Sequence, residues 1–459
     1  MVGSRCLDSL HFERMRRVLQ TAREVARQVP PVRLLVAGYL LYVLVTWALL
    51  SLPWSQQAGE ISGLDHLFIA TSAVSTTGLI TVSTPDAYSW FGEAVVLLAF
   101  QLGGLGYMTL GSVFLMVAAR PLSRVRERVA SVAFALPEGF DLFSFLRRVV
   151  IFSLTTELLG TIALYCAFRS EGVQDPGWPA IFHAVSAFCT AGFSVFPDSL
   201  ESFRGSFWVN LIIGTLSLLG AVGFVVVSDA WQKVRQRSHR VTLTTRIILV
   251  ATALGLFGGW LLFYLVEPTL RSLPTGERLL ASGFQAMTSL TTVGFDTHPT
   301  VQLGPPAVLL TVALMIVGAS PSGTGGGLKS TTVAAGLGVM WSSLTNRSVA
   351  FWGRRIPARR LLAAFAASML YLLLFLVGAF LLLLVETHAF SDVVFEVASA
   401  LGTVGLSHGI TGALSPTGKL TLIAVMFAGR VGPLTLALAF AGRATAAPDV
   451  EWPEEDLAV

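Results

Sequence analysis

One eight-residue pattern occurs four times in this chain, and no other feature limits the possible folds so tightly. The copies are 72–79 (SAVSTTGL), 186–193 (SAFCTAGF), 288–295 (TSLTTVGF) and 399–406 (SALGTVGL). Each begins with Ser or Thr, carries a Thr two residues before a Gly, and ends in Leu or Phe. The glycines, Gly78, Gly192, Gly294 and Gly405, are separated by 114, 102 and 111 residues. A period that long exceeds solenoid repeats and describes a multi-helix unit copied four times. Glycine accepts the positive φ that other residues avoid, so a Thr-x-Gly turn can aim successive carbonyls at one axis. Four such turns around one axis would replace the water shell of an ion with carbonyl oxygens.

Composition places the repeats in a membrane. The 459 residues are 54% hydrophobic and only 13% charged, against about a quarter charged in soluble domains, and the mean hydropathy is +0.71. A spanning helix needs about 20 mostly apolar residues. Apolar runs predict an outer and an inner helix in every unit: 34–52 and 94–119, 149–168 and 207–230, 247–266 and 307–341, 361–385 and 420–441. The stretches leading into the four patterns are too short to cross and read as re-entrant pore helices. The expected fold is therefore an all-α polytopic membrane protein of four membrane helix–pore loop–membrane helix units around a pseudo-fourfold pore. Its divisions are a cytoplasmic amphipathic segment (1–32), repeat 1 (33–132), repeat 2 (133–241), repeat 3 (242–356), repeat 4 (357–446) and an acidic cytoplasmic tail (447–459).

Charge sets the expected orientation. Arginine clusters (Arg14 to Arg27, Arg120 to Arg128, Arg235 to Arg246, Arg347 to Arg360) fall on the side opposite the four patterns. Carboxylates such as Glu60, Asp65, Asp86, Asp198, Glu267, Asp296 and Asp392 fall on the pattern side, so both termini are expected in the cytoplasm. The net charge of +4 is then a topology signal, not a nucleic-acid footprint. Cys6, Cys166 and Cys189 are too few and scattered for a disulfide framework.

The expected ion-binding residues are Thr76, Thr77 and Gly78; Thr190, Ala191 and Gly192; Thr292, Val293 and Gly294; and Thr403, Val404 and Gly405, acting through main-chain oxygens on K⁺. Close packing of membrane helices through small residues also yields Ser, Thr and Gly, but it does not require four copies at one period. Each preceding helix would point its negative end at the ion.

These motifs resemble the superfamily of K⁺ transporters that includes TrkH, KtrB and the plant HKT proteins, and within it KtrB, over about residues 33 to 445. The resemblance implies K⁺ uptake, with Gly in all four loops going with K⁺ preference. It also implies a homodimer in a bacterial inner membrane and a cytosolic nucleotide-binding regulatory ring (KtrA-like or TrkA-like). Na⁺ would be a coupling or activating ion, with no covalently bound cofactor. The chain departs from K⁺ channels in having Leu or Phe after the filter Gly, and loops one and two lack Val before it. Weaker selectivity and unequal filter walls are expected.

The inner helix of repeat 3 contains a run, 318–332, that cannot stay helical, with Gly318, Pro321, Gly323, Gly325, Gly326 and Gly327 before Lys329; Gly costs about 1 and Pro about 3 kcal/mol in a helix interior. Irregular backbone at membrane depth must line a cavity, so the segment is expected to gate the pore, with Lys329 repelling cations, as the resemblance also implies. A passive kink is one alternative. Another is a nucleotide-binding loop and with it a membrane ATPase or kinase, but Leu328 stands where that motif demands Gly and no strand precedes it. Arg430, in the last apolar run, is costly in hydrocarbon; it either faces the pore beside the gate or snorkels to the headgroups. Glu157 is either a structural hydrogen-bonding group or functional. His183 is read as opening the second pore helix in a capping or loop role, and Asp296 as an attractor of cations or a solvated carboxylate. A Na⁺ or mixed-cation carrier is the alternative within transport.

Overall fold

The computed structural model describes residues 31–57, 59, 61–106, 142–235 and 240–440. Most of the amphipathic segment 1–32, Cys6, Glu60, the arginines at 14–27 and 120–128, the continuation of the first inner helix to 119, and the tail 447–459 lie outside the described residues.

Each of the four units is an outer helix, a short pore helix, a turn and an inner helix. The outer helices are Pro31–Leu50, Leu142–Ser170, Leu243–Val266 and Ala358–Val385. All four are long and apolar enough to cross a bilayer. They are apolar on nearly every face, and Leu41, Leu254, Phe257, Leu362 and Phe365 stand outward, as a helix against lipid requires. The pore helices are Gly63–Val74, Gly177–Phe188, Thr275–Thr291 and Phe390–Gly402. Their aromatic side chains Phe68, Phe182, Phe188 and Phe395 are fully buried. The inner helices begin at Trp90–Leu105, Phe207–Val222, Pro305–Val317 and Pro416–Val431.

The units close on themselves. The inner helix of each unit packs on the pore helix of the next, and that of unit 4 packs on the pore helix of unit 1. Four apolar clusters straddle the seams in the same order. Phe100 meets Phe182 edge-on at 5.3 Å between units 1 and 2. Met287 and Phe295 pack with Phe168 between units 2 and 3. Val312 and Met315 pack with Phe395 between units 3 and 4, and Leu422 with Phe68 between units 4 and 1. A polar tie accompanies each seam: Trp178 Nε1 to Glu93 Oε2 (2.5 Å), Arg204 Nε to the Thr297 carbonyl (2.7 Å), Thr300 Oγ1 to the Ser407 carbonyl (2.7 Å) and Lys419 Nζ to Asp65 Oδ1 (2.6 Å).

The inner helices depart from the sequence reading. The runs 207–230 and 420–441 are not single rods: Phe207–Val222 meets Phe224–Arg235 at 91°, and Pro416–Val431 meets Pro433–Phe440 at 97°. In all four units the inner helix stops at a glycine of positive φ, namely Gly106 (79°), Gly223 (94°), Gly318 (60°) and Gly432 (90°), an extended positive-φ conformation that glycine adopts without a Cβ clash. In units 1, 2 and 4 a second glycine three residues earlier, Gly103, Gly220 or Gly429, lies so close to the main-chain carbonyl of Val74, Phe188 or Leu401 that a Cβ would collide with it. The pore helix thus seats directly on the inner-helix backbone.

Candidate functional site

The four Thr-x-Gly turns have one backbone conformation. Thr76, Thr190, Thr292 and Thr403 take φ of 51°, 50°, 59° and 47°, and Gly78, Gly192, Gly294 and Gly405 take 90°, 68°, 82° and 98°. The residue between donates its N–H five residues back to the carbonyl of the first motif residue: Thr77 to Ser72 (2.8 Å), Ala191 to Ser186 (2.8 Å), Val293 to Thr288 (3.2 Å) and Val404 to Ser399 (2.8 Å). This is a left-handed helix stop with the Thr as its αL residue. A left-handed Thr is unfavourable, and four in equivalent places mark a built feature.

The first motif residue then fixes the turn in two ways. Ser72 and Ser399 accept from the N–H of Gly78 and Gly405 at 3.0 Å. Ser186 and Thr288 instead donate to the carbonyls of Phe193 (2.8 Å) and Phe295 (2.7 Å). Loops one and four, ending in Leu, share one arrangement, and loops two and three, ending in Phe, share the other. The wall is therefore paired and not fourfold-identical.

Main-chain oxygens link the turns into a ring. A Cβ on Gly78 would strike the carbonyl of Ala191; on Gly192, that of Val293; on Gly294, that of Val404; and on Gly405, that of Thr77. The order one, two, three, four and back to one matches the helix seams. Each of the four carbonyls lies against the glycine of the neighbouring turn, and both φ and space demand glycine there.

The broken segment of unit 3 lies directly under this ring. Thr324 Oγ1 donates to the Phe188 carbonyl at 3.0 Å and sits 3.2 Å from Thr190 Oγ1. The Gly326 N–H donates to Thr292 Oγ1 at 2.8 Å, and Gly326 leaves no room for a Cβ against Thr403 Oγ1. Arg430 Nη1 donates to Thr76 Oγ1 at 2.8 Å and to the Thr324 carbonyl at 2.6 Å. One hydroxyl from every turn is thus met from below by the segment or by Arg430. Gly318 ends the inner helix, and Pro321 and Gly323 lie against the break in unit 2, where the Phe224 N–H donates to the Ser322 carbonyl at 3.1 Å. Gly325 accepts from Lys329 Nζ at 2.7 Å, and Gly327, at φ 71°, turns the chain back toward Gly318.

Arg430 lies in the last turn of Pro416–Val431, not at mid-helix. Its second nitrogen donates to the carbonyls of Gly103 and Gly104, the latter at 3.3 Å. The guanidinium is held upward under the ring by four acceptors and does not reach toward the headgroups. Below the segment is a cavity of about 300 Å³ lined by Lys329, Arg430, Tyr39, Tyr371 and glycines of units 1 and 4. The N–H groups of Thr324, Leu328 and Ser330 are engaged within the protein, with Gly220, Ile316 and Ala319, and that of Gly326 with Thr292, so these are not part of an open amide cradle such as a phosphate requires.

On the side of the ring away from the segment, Asp296 is half-buried in the turn after Gly294 and accepts the Leu200 N–H on its carbonyl. Burial pushes its carboxyl up to about 7, with nearby Glu201 and Asp198 adding to the rise. His183 is within its pore helix and not at its start; Nδ1 lies 2.8 Å from the Pro179 carbonyl and Nε2 2.9 Å from Ser194 Oγ, so it ties the helix to the chain just beyond the turn. Sequence reasoning missed the glycine stops below the ring. Their signal was a second periodic pattern, Gly-x-x-Gly at 103–106, 220–223 and 429–432.

A family model described as TrkH, cation transport protein, matches residues 45–445. Among curated proteins, the chain is 36% identical over 411 residues to the Ktr system potassium uptake protein B of Vibrio alginolyticus, covering 88% of this chain and 90% of that one. It is 32% identical to the potassium/sodium uptake protein NtpJ of Enterococcus hirae, covering 95% and 98%. Among solved structures, it resembles the potassium transporter TrkH from Vibrio parahaemolyticus with a TM-score of 0.66 at 22% identity, covering 88% of this chain and 85% of that one.

Proposed function

We propose that this chain, which belongs to the TrkH cation transport protein family, carries K⁺ into the cell along the axis of the four-turn ring, with the segment 318–329 as its gate. The observation that carries this reading is the ring itself: the carbonyls of Thr77, Ala191, Val293 and Val404 each lie against the glycine of the adjacent turn in a closed cycle. Those oxygens, with those of the flanking Thr and Gly residues, stand in for an ion's water shell. Four pore helices point their C-terminal ends at the same place, which favours a cation. Further binding sites stacked along the axis are few, because Leu79, Phe193, Phe295 and Leu406 follow the glycines and are buried. Discrimination between K⁺ and Na⁺ accordingly rests on one ring.

Passage requires the segment 318–329 to leave its seat under the four Thr hydroxyls and Arg430 to swing away from Thr76. Its glycines supply the backbone freedom, and the cavity of about 300 Å³ beside Arg430 and Gly432 gives it space to move into. We further read the chain as a homodimer of the bacterial inner membrane with both termini in the cytoplasm. A cytosolic nucleotide-binding subunit would act on the helix Ser330–Thr345 that continues from the gate, and Na⁺ would activate or couple to uptake. The Ktr system names borne by its relatives support a partner subunit.

A second reading, mixed K⁺ and Na⁺ uptake, is favoured by the likeness to NtpJ and by the paired, unequal walls of the ring. Uptake by the purified full-length chain in liposomes, measured with each cation in turn, separates the two. The first reading expects K⁺ to be preferred and Gly78→Ser to reduce that preference. Equal uptake of both ions favours the second, and transport of neither contradicts both.

A further inference from the structure

We propose that Glu157 is a specificity-determining positioning residue: acting through Gln101, it holds Cys189 and so sets where the second turn places its carbonyls in the ring. This rests on the filter reading given above. Glu157 lies midway along the outer helix of unit 2 and is buried. A carboxylate at such depth is retained only with a partner and a use. Its partner is on another unit: Gln101 Nε2, from the inner helix of unit 1, donates to both carboxylate oxygens at 2.9 Å.

That double contact fixes the orientation of the amide, because the reverse orientation would set its oxygen against the carboxylate. Gln101 must then present Oε1 on its other side, where it accepts from Cys189 Sγ at 3.1 Å. Cys189 caps the second pore helix and immediately precedes Thr190. Its carbonyl accepts from Thr190 Oγ1 at 2.7 Å, and that same hydroxyl meets Thr324 of the gate. Gly104 leaves the thiol its seat, since a Cβ there would overlap the Cys189 side chain. The chain of contacts therefore runs from a buried carboxylate to the turn whose Ala191 oxygen abuts Gly78.

The equivalent position in the other three turns is held differently. Ser75 bonds back to the Thr71 carbonyl (2.7 Å) and pairs with Thr77 (2.6 Å), and Thr291 bonds back to Met287 (2.7 Å). Gly402 has no side chain. Among the described residues, only the second turn is gripped at this place by a side chain from outside its own unit, and only there does a carboxylate stand behind the grip. Loop two is also the turn with the smallest residue, Ala191, before its glycine, so it has the least side-chain packing of its own to hold its register.

The test is K⁺ and Na⁺ uptake by the purified full-length chain in liposomes, for Glu157→Ala, Gln101→Leu, Cys189→Ala, Cys189→Ser and the Glu157→Ala/Cys189→Ala pair. Each loss variant is expected to lower the K⁺-over-Na⁺ ratio by about threefold to tenfold, the change that one net hydrogen bond corresponds to. The pair should be no worse than the worse single variant, since both break one chain of contacts, and Cys189→Ser should recover most of the ratio by restoring a donor. Unchanged ratios with only a lower melting temperature would reduce Glu157 to a structural role and overturn the proposal, as would losses that multiply in the pair. If Glu157→Ala does not assemble, Cys189→Ala against Cys189→Ser decides, and equal ratios overturn it. Gly78→Ser runs alongside. A ratio altered there but not in the other variants removes the positioning role and leaves the filter reading intact; a ratio altered nowhere removes both.

Discussion

At the scale of single residues, two groups set the charge a cation meets on the proposed path. Arg430 lies directly under the ring, and its guanidinium touches Thr76, Thr324 and the backbone of unit 1. Arg430→Gln keeps a donor while removing the charge, and it is expected to raise resting K⁺ flux into liposomes by about threefold or more, given the strength of charge interactions away from bulk water; flux at or below the native level would show that the arginine is a brace and not a barrier. On the other side of the ring, Asp296 sits where burial, Glu201 and Asp198 raise its carboxyl to about 7. A carboxyl raised in the folded state makes the protein less stable as pH climbs from its ordinary range to about 7, and above that value it stands ionised at the mouth. The apparent KM for K⁺ is therefore expected to fall between pH 6 and pH 8, and Asp296→Asn should flatten that change. A pH dependence untouched by the substitution would place its origin elsewhere.

At the scale of elements, the glycines that end the inner helices shape the space below the ring. Gly223 has both a left-handed φ and a neighbour, the Pro321 carbonyl, in the place a Cβ would take, whereas Gly432 has the φ alone. Gly432→Ala is expected to cost about 1 kcal/mol and Gly223→Ala distinctly more, within the range of about 1 to 3 kcal/mol for such strain; equal shifts in thermal unfolding in detergent would contradict the close approach. Deleting 323–327 should raise flux in the absence of any regulator, and a silent deletion would remove the gate. This is also the scale at which the sequence reads unevenly. The outer helices are visible as apolar runs because hydrocarbon demands an unbroken apolar length. The broken inner helix of unit 3 is visible because Pro with five glycines admits no helix. The breaks of units 2 and 4 are masked because the apolar runs on both sides keep the hydropathy of a single span; their local marks are Gly220 and Gly223 in unit 2 and Gly429, Gly432 and Pro433 in unit 4, and the Gly-x-x-Gly recurs at the same point of three units. His183 was misplaced although Pro176 and Pro179, of a residue type favoured in the first turn of a helix, mark the start of the short pore helix several residues before it.

At the scale of the whole molecule, the ring closes because each seam repeats one arrangement, an inner helix on the next pore helix with an apolar cluster and a polar tie. Periodicity of the four motifs carried that architecture in the sequence, as nearly equal spacing of similar turns leaves few other ways to bury them. The partners of Glu157 and Arg430 were hidden, since Gln101 and Thr76 are far from them in the chain and become neighbours only when unit 1 meets units 2 and 4. The Gly78→Ser variant tests the ring's chemistry through the K⁺-over-Na⁺ uptake ratio. The most direct measurement is a crystal of the protein soaked in Rb⁺, with the ion located by its anomalous scattering. The account predicts a peak on the axis within reach of the carbonyls of Thr77, Ala191, Val293 and Val404; an axis without the ion there, with the ion bound at side chains elsewhere, would contradict it.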